Sequence, residues 1–506
     1  MDGMPTKTHG IAAAIWTVSF CLVGCAPRAF QDALTLSVEQ NRVVDAAARR
    51  ADAAWFLRFD ALLLSDLDDA IAAADTDAKR ALAADVYRSA ARLARDVTHR
   101  EIDRLPAPAR SALAERFHVK ANPTALHERF DRDAAEALRR DLAAIETASA
   151  KSLQQKLLAL RQSVSPLPDD RGRLGRQLML CWAALPAWIG LENEEAKLRD
   201  KSDAMAARQL DHVALWRPVP RAGDDLLARF APIIAVEWPD RRPYPEGNDR
   251  IGGVRLRRDG GAIVVVVDPT DPHVYAYNWV AKIHGRRYPQ LVYVWWFPER
   301  PPMTANDPSA GHIDGGMLRL TLDSHQRPVI GEASLNCGCG HRVFVASALE
   351  NAARHEFSEA LPGNRFAIEQ DTDRAHDVIV ADTFDTPPEN ARPVVFQSAG
   401  YHEVCKLDFV DAARAAALRA TEETSYRLVP YDVLDTLPLD GGVGSMFGPD
   451  GLVHDAGRRS GYLLAPTGIL SAGQPRKRGT HRVRWDDYLF DDPHLLERTL
   501  RLPRGF

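Results

Sequence analysis

The sequence predicts an α+β protein: a bundle-like helical region first, then a mainly antiparallel β or α+β domain. Three observations predict it. Before about residue 216 the chain is rich in Ala, Leu, Arg and Glu, good helix formers, and its apolar residues recur at helical spacing. Near Arg217-Pro218-Val219-Pro220 the texture changes, and Gly, Pro and β-branched residues rise. Beyond that point apolar residues come in short runs separated by turn signals. The expected boundaries are 1–24 for a leader, 25–216 for the helical domain and 217–506 for the β-rich domain.

In the first part, Leu62, Leu63, Leu64, Leu67 and Ile71 share one helical face. Leu82, Val86, Ala90, Leu93 and Val97 repeat the pattern over 81–99, and Pro106 and Pro108 break it. Leu153 to Leu160 reads as a further helix. The apolar run from Gln177 to Leu191 holds Pro186 and is short for a membrane span, so a buried helix is expected there. No compact His/Glu ligand motif occurs in this half, and its expected use is structural or partner-binding.

In the second part, Gly253–Arg257 and Ile263–Val267 flank Asp259-Gly260-Gly261, a hairpin signal. Val274–Trp279 and Leu291–Phe297 are expected strands. The latter is apolar throughout, as in a strand covered on both faces. Met317–Leu322 turns at Asp323-Ser324 into Val329–Ala333. Ser347–Phe357 is the expected helix. Val394–Gln397, Val404–Phe409 and Val483–Leu489 are later strands.

With 506 residues, 45% of them hydrophobic and 26% charged, the chain has the composition of a globular protein of two or three domains. A net charge of −5 argues against a nucleic-acid partner, which calls for a basic face. There is no P-loop, G-x-S-x-G elbow or dinucleotide fingerprint.

The chain start carries Lys7 and His9, with Asp2 a departure from a clean basic segment, then an apolar run from Ile11 to Val23. That run is too short for a bilayer and reads as a secretory leader. It ends Leu22-Val23-Gly24-Cys25, which resembles the lipobox of bacterial lipoproteins. The resemblance implies cleavage before Cys25, lipidation of its sulfur and a membrane partner through that anchor. Ala26, where Asp would favour inner-membrane retention, leans the address toward the outer membrane. Export would permit disulfides.

The densest chemistry is Asn336-Cys337-Gly338-Cys339-Gly340-His341. In a strand, Cys337, Cys339 and His341 would share a face, with the outer two roughly 13 Å apart at Cα. One ion can hold all three only if the backbone bends, and Gly338 and Gly340 permit a bend. Three readings stay open: a transition-metal site such as zinc, a strained Cys337–Cys339 disulfide, or two inert buried thiols beside a core histidine. A Cys337–Cys405 bridge is a further pairing. Antiparallel geometry about a turn at 323–327 brings Gly311-His312-Ile313-Asp314 back toward the cysteines. The expected ligand set is therefore His312, Cys337, Cys339 and His341, with Asp314 as an orienting group or base. His312 and Asp314 read equally well as turn or rim residues. His402 before Cys405, and His481, are weaker candidates for the same pocket. Arg476, Lys477, Arg478, Arg482 and Arg484 form a basic patch that reads as a solvated loop before it reads as a lipid-phosphate or anion site.

The Tyr293–Pro301 block, Gly311–Gly315, Cys337–His341 and Phe490-Asp491-Asp492-Pro493 together resemble a group of bacterial envelope proteins without an assigned activity. The resemblance implies that about the last 220 residues form one unit. It transfers no catalytic residue.

Overall fold

The computed structural model describes residues 60–163, apart from 106, and 212–505, apart from 221–224, 304–306, 363, 371–379, 389–390, 440–441, 449, 465–472 and 484–487. The leader with Cys25, the 177–191 run and Pro106 lie outside the described residues.

Five helices open the described chain: α1 (Ala61–Ala72), α2 (Thr76–Arg104), α3 (Ala107–Arg116), α4 (Pro123–Glu146) and α5 (Ala150–Ser163). Their starts are set by short polar side chains that satisfy otherwise unpaired backbone N–H groups. Asp60 accepts from the Leu63 N–H at 2.8 Å, Asp75 from Ala78 at 2.7 Å and Asn122 from Ala125 at 2.8 Å. Leu63, Leu67, Val86, Leu113, Leu126, Phe130, Leu153 and Leu157 bury one common core.

The rest of the chain is organised by one eleven-stranded mixed sheet. In chain order its strands are β1 (Val213–Pro218), β2 (Ile233–Glu237), β5 (His273–Ile283), β6 (Arg286–Arg300), β7 (Gly311–Leu322), β8 (Pro328–Leu335), β9 (Arg342–Ala346), β10 (Val380–Phe384), β11 (Arg392–Gln397), β12 (Val404–Val410) and β13 (Glu422–Pro430), with the separate hairpin β3–β4 (Gly253–Asp259, Ala262–Asp268) lying between β2 and β5 in sequence. Across the sheet the order is β10-β9-β8-β7-β6-β5-β13-β1-β2-β11-β12. A run of antiparallel neighbours from β5 to β9 forms a meander. Parallel pairs join β13 to both β5 and β1, β2 to β11, and β9 to β10, so the sheet is mixed. The sheet curls so that β12 faces β8, and the Leu407 side chain lies over Gly331.

The expected helical boundary needs one correction. Val213–Trp216, expected within the helical part, forms most of β1, between β13 and β2, and all four residues are buried. Tertiary pairing set its state. Strand β13, which no sequence pattern singled out, is what links the meander to β1. The helix Ser347–Phe357 (α6) has the expected bounds. The expected strand 483–489 has only two-residue pieces at its ends, Arg482–Val483 and Tyr488–Leu489, with the positions between them outside the described residues.

Strand β6 explains its own composition. Tyr293, Trp295 and Phe297 point into one core, while Val292, Val294 and Trp296 point into another on the opposite face. Alternate residues of a strand face opposite ways, so a strand covered twice must be apolar at every position. The helices dock near the β5–β6 turn through Lys282, whose ammonium meets Ser65 at 2.9 Å, Asp69 at 2.6 Å and Asp66 at 2.7 Å.

Candidate functional site

The β7–β8 ladder carries the cysteine loop. Gly316 lies opposite Leu335, and one step on, the Asn336 N–H donates to the Gly315 carbonyl at 2.9 Å. Extending that register sets Asp314 opposite Cys337. The chain then turns: the Gly338 N–H returns to the Leu335 carbonyl at 2.8 Å, and the Leu335 N–H donates to the Cys339 carbonyl at 3.0 Å. Gly338 adopts φ +93°, and a Cβ there would lie 1.4 Å from the Arg482 carbonyl oxygen. Only glycine fits that position.

The turn brings the two sulfurs together. Cys337 is buried and Cys339 is exposed, and both are free thiols; Cys405 is buried. The Cys339 N–H donates to Cys337 Sγ at 3.4 Å. The Cys337 S–H donates to the Cys339 sulfur, which lowers the Cys339 pKa; burial opposes this, while the Gly473 N–H and the Arg300 charge add to it. The same bond, with burial, the Cys339 charge and Asp314 behind it, pushes Cys337 well up. Of the two residues, exposed Cys339 has the lowered pKa and buried Cys337 the raised one.

Both expected histidine ligands are directed elsewhere. Ile313 has φ +55°, a left-handed conformation that is rare for a β-branched residue. The Arg458 guanidinium holds the twist by donating to the His312 carbonyl at 2.6 Å and to the Ile313 carbonyl. The His312 ring thereby meets Asp455, with Nδ1 3.3 Å from the carbonyl and 3.6 Å from the carboxylate. His341 turns inward, with Nε2 3.1 Å from Glu332 and its ring edge-on to Phe490. Glu332 is itself clamped bidentately by buried Arg319 at 2.7 Å. The expected set His312, Cys337, Cys339 and His341 is therefore not gathered. Among the described residues no group of three or more His, Cys, Asp or Glu side chains is placed to hold a metal ion.

Asp314 is buried and occupied. Its Oδ2 lies 2.8 Å from His402 Nδ1, and His402 Nε2 lies 3.2 Å from Asp249 Oδ1. The His402 ring stacks on Phe297 at 3.9 Å. Burial by itself lowers a histidine pKa, but the bonds to two carboxylates outweigh it, and the His402 pKa is raised. Asp314 is lowered: burial works against the charge, and the His402 bond and charge, Arg300 and Arg458 overcome it. His402, a weaker candidate for the cysteine pocket by sequence, instead bridges Asp314 and Asp249, and no sequence pattern singles out Asp249. Nothing in Asn248-Asp249 marks it, because its partner is 153 residues away. His481 is buried beside Ser334 at 3.3 Å, and burial together with nearby His341 depresses it to about 3.

Two guanidinium groups complete the surroundings of the sulfurs. Arg458 is fully buried, with Asp314 4.0 Å away. Arg300, at the end of β6, donates to the Tyr401 carbonyl at 3.1 Å and lies 5.4 Å over the Tyr401 ring. Comparison with protein-family models, with curated proteins and with solved structures found no match.

Proposed function

We propose that the chain is an exported envelope protein, anchored through lipidated Cys25 with the outer membrane as the favoured address, whose C-terminal domain carries a dithiol–disulfide exchange site. The observation that carries the reading is the asymmetry of the thiol pair: Cys339 is exposed, while Cys337, whose sulfur accepts the Cys339 N–H at 3.4 Å, is buried, and of the two it is the Cys339 pKa that is lowered. Attack by a thiolate on a disulfide sulfur is the elementary step of exchange. The Cys339 thiolate attacks a substrate disulfide, forms a mixed disulfide and expels one substrate thiolate. Cys337 then gives up its proton to solvent and attacks Cys339 Sγ, expelling the second. The pair loses two electrons and becomes a disulfide, and the substrate disulfide gains them and leaves as two thiols. Gly338 makes the small ring sterically accessible.

Two features favour this reading over zinc. The two histidines that would complete a tetrahedral set engage Asp455 and Glu332. Arg300 and Arg458 place positive charge beside the sulfurs, which favours a thiolate and opposes a cation. The test uses the untagged chain with Cys337→Ser and Cys339→Ser variants, oxidised glutathione and intact-mass analysis. C337S is expected to trap a stable glutathione adduct, C339S to react far more slowly, and the native pair to lose two hydrogens without an adduct. Stoichiometric zinc or copper that blocks both thiols would overturn the reading in favour of a metal site. A Cys337–Cys339 bridge that resists reduced glutathione would make the pair structural. Replacement of Cys25 by Ala is expected to move the protein from the membrane to the soluble fraction.

A further inference from the structure

The cation beside the thiol pair has a use that exchange alone does not require. The acidic groups near Arg300 are already spoken for. Glu403 pairs with Arg342 at 3.1 Å, and Asp314 with His402 at 2.8 Å. Among the described residues no carboxylate lies within ion-pair distance of Arg300, and its Nε is buried without a hydrogen-bond partner. One Nη makes a single bond, to the carbonyl of Tyr401, a residue that is 38% exposed. A guanidinium offers five donors in a planar fork that matches a carboxylate. Most of that capacity is unused at a half-buried position within electrostatic reach of both sulfurs.

Resting on the exchange reading, we infer that Arg300 is the recognition group for a carboxylate on the disulfide that Cys339 attacks. The substrate class is then a small anionic disulfide, and neutral or cationic disulfides are disfavoured. The substrate carboxylate would take up the free donors of the fork, with the Tyr401 ring as a neighbouring apolar wall. The scissile sulfur would then lie over Cys339. The cationic charge that helps hold the thiolate would also draw the substrate in.

The test measures second-order rates of oxidation of the fully reduced chain by three probes: oxidised glutathione (anionic), bis(2-hydroxyethyl) disulfide (neutral) and cystamine (cationic). The native protein is expected to prefer the anionic probe over the neutral one by roughly tenfold beyond their intrinsic reactivity difference, the scale of one charge-assisted contact. That preference should collapse in Arg300→Gln and survive in part in Arg300→Lys. Taking the ratio of anionic to neutral rates cancels any general loss of thiolate reactivity. Should Arg300→Gln fail to fold, salt on the native chain gives the same answer: the anionic rate should fall with ionic strength, the neutral rate should stay level and the cystamine rate should rise. Equal rates for the three probes, or a ratio untouched by Arg300→Gln, would overturn the inference and leave exchange standing. No oxidation by any probe, with Cys339 still open to iodoacetamide, would overturn exchange itself and the inference with it.

Discussion

The buried pair Arg319–Glu332 permits a quantitative prediction. Both side chains are essentially inaccessible, at 1% and 0%, and two 2.7 Å bonds join them. His341 adds a third contact to the carboxylate at 3.1 Å. Burial raises the Glu332 pKa, but Arg319 and His341 more than reverse this, and the carboxyl is held at about 2, against 4.5 for the free side chain. A depressed folded-state pKa contributes stability above the unfolded pKa, and that stability is lost as pH falls through 4.5 towards 2. The difference corresponds to about 3 kcal/mol. Glu332→Gln leaves Arg319 charged and uncompensated, so it should cost about 3–5 kcal/mol at pH 7. The gap between native and variant should shrink steadily below pH 4.5, because the native protein then also loses its carboxylate. Urea unfolding followed by tryptophan fluorescence, at intervals from pH 7 to 3, measures this. Trp295 and Trp296 lie in the two cores flanking β6 and report on the same sheet. If native and variant curves run parallel across the whole pH range, the assigned role of the ion pair is wrong.

Four further outcomes are expected. Alkylation of Cys339 by iodoacetamide should show a rate midpoint below the ordinary thiol range, and Cys337→Ala should move it upward, because the donor to the Cys339 sulfur is removed. Gly338→Ala should cost about 1–2 kcal/mol for the left-handed backbone, more for the collision with the Arg482 carbonyl, and should abolish that low midpoint. Lys282→Met should loosen the helical region from the sheet by roughly 1–3 kcal/mol, read as faster proteolysis within 60–163 and unchanged resistance of the sheet. Cys405→Ser should leave the oxidised mass change at two hydrogens, because Cys405 is buried with its thiol 3.5 Å from the Glu403 carbonyl; its loss in this variant would point to a Cys337–Cys405 bridge instead.

Much of the fold was legible because short-range rules decide it. The β3–β4 hairpin follows from Asp259-Gly260-Gly261 between two β-branched runs, and the β7–β8 turn from Asp323, whose carboxylate accepts the His325 and Arg327 N–H groups. The continuous apolar run of β6 pointed to burial on both faces, and both cores are there. The return of Asp314 to the neighbourhood of Cys337 was also legible, since register beyond a turn is a matter of counting. The fate of His312 was not. Counting presumes regular strand geometry, and the left-handed Ile313, held by an arginine 145 residues away, redirects the chain just before it would have reached the cysteines.

By itself, then, the sequence determined the division into helical and β-rich parts, the hairpins, and the concentration of sulfur in a loop that glycine allows to bend. Each depends on neighbours along the chain, through propensity, periodicity or turn chemistry. Only the tertiary structure decided that Val213–Trp216 is a strand between β13 and β2, that His341 serves the Arg319–Glu332 pair, that His402 bridges Asp249 and Asp314, and that Arg300 stands by the thiols with its fork largely free among the described residues. These depend on partners brought from distant positions by the curl of one sheet. A buried charge takes whichever counter-charge the packing delivers, and local sequence carries no record of which one arrives.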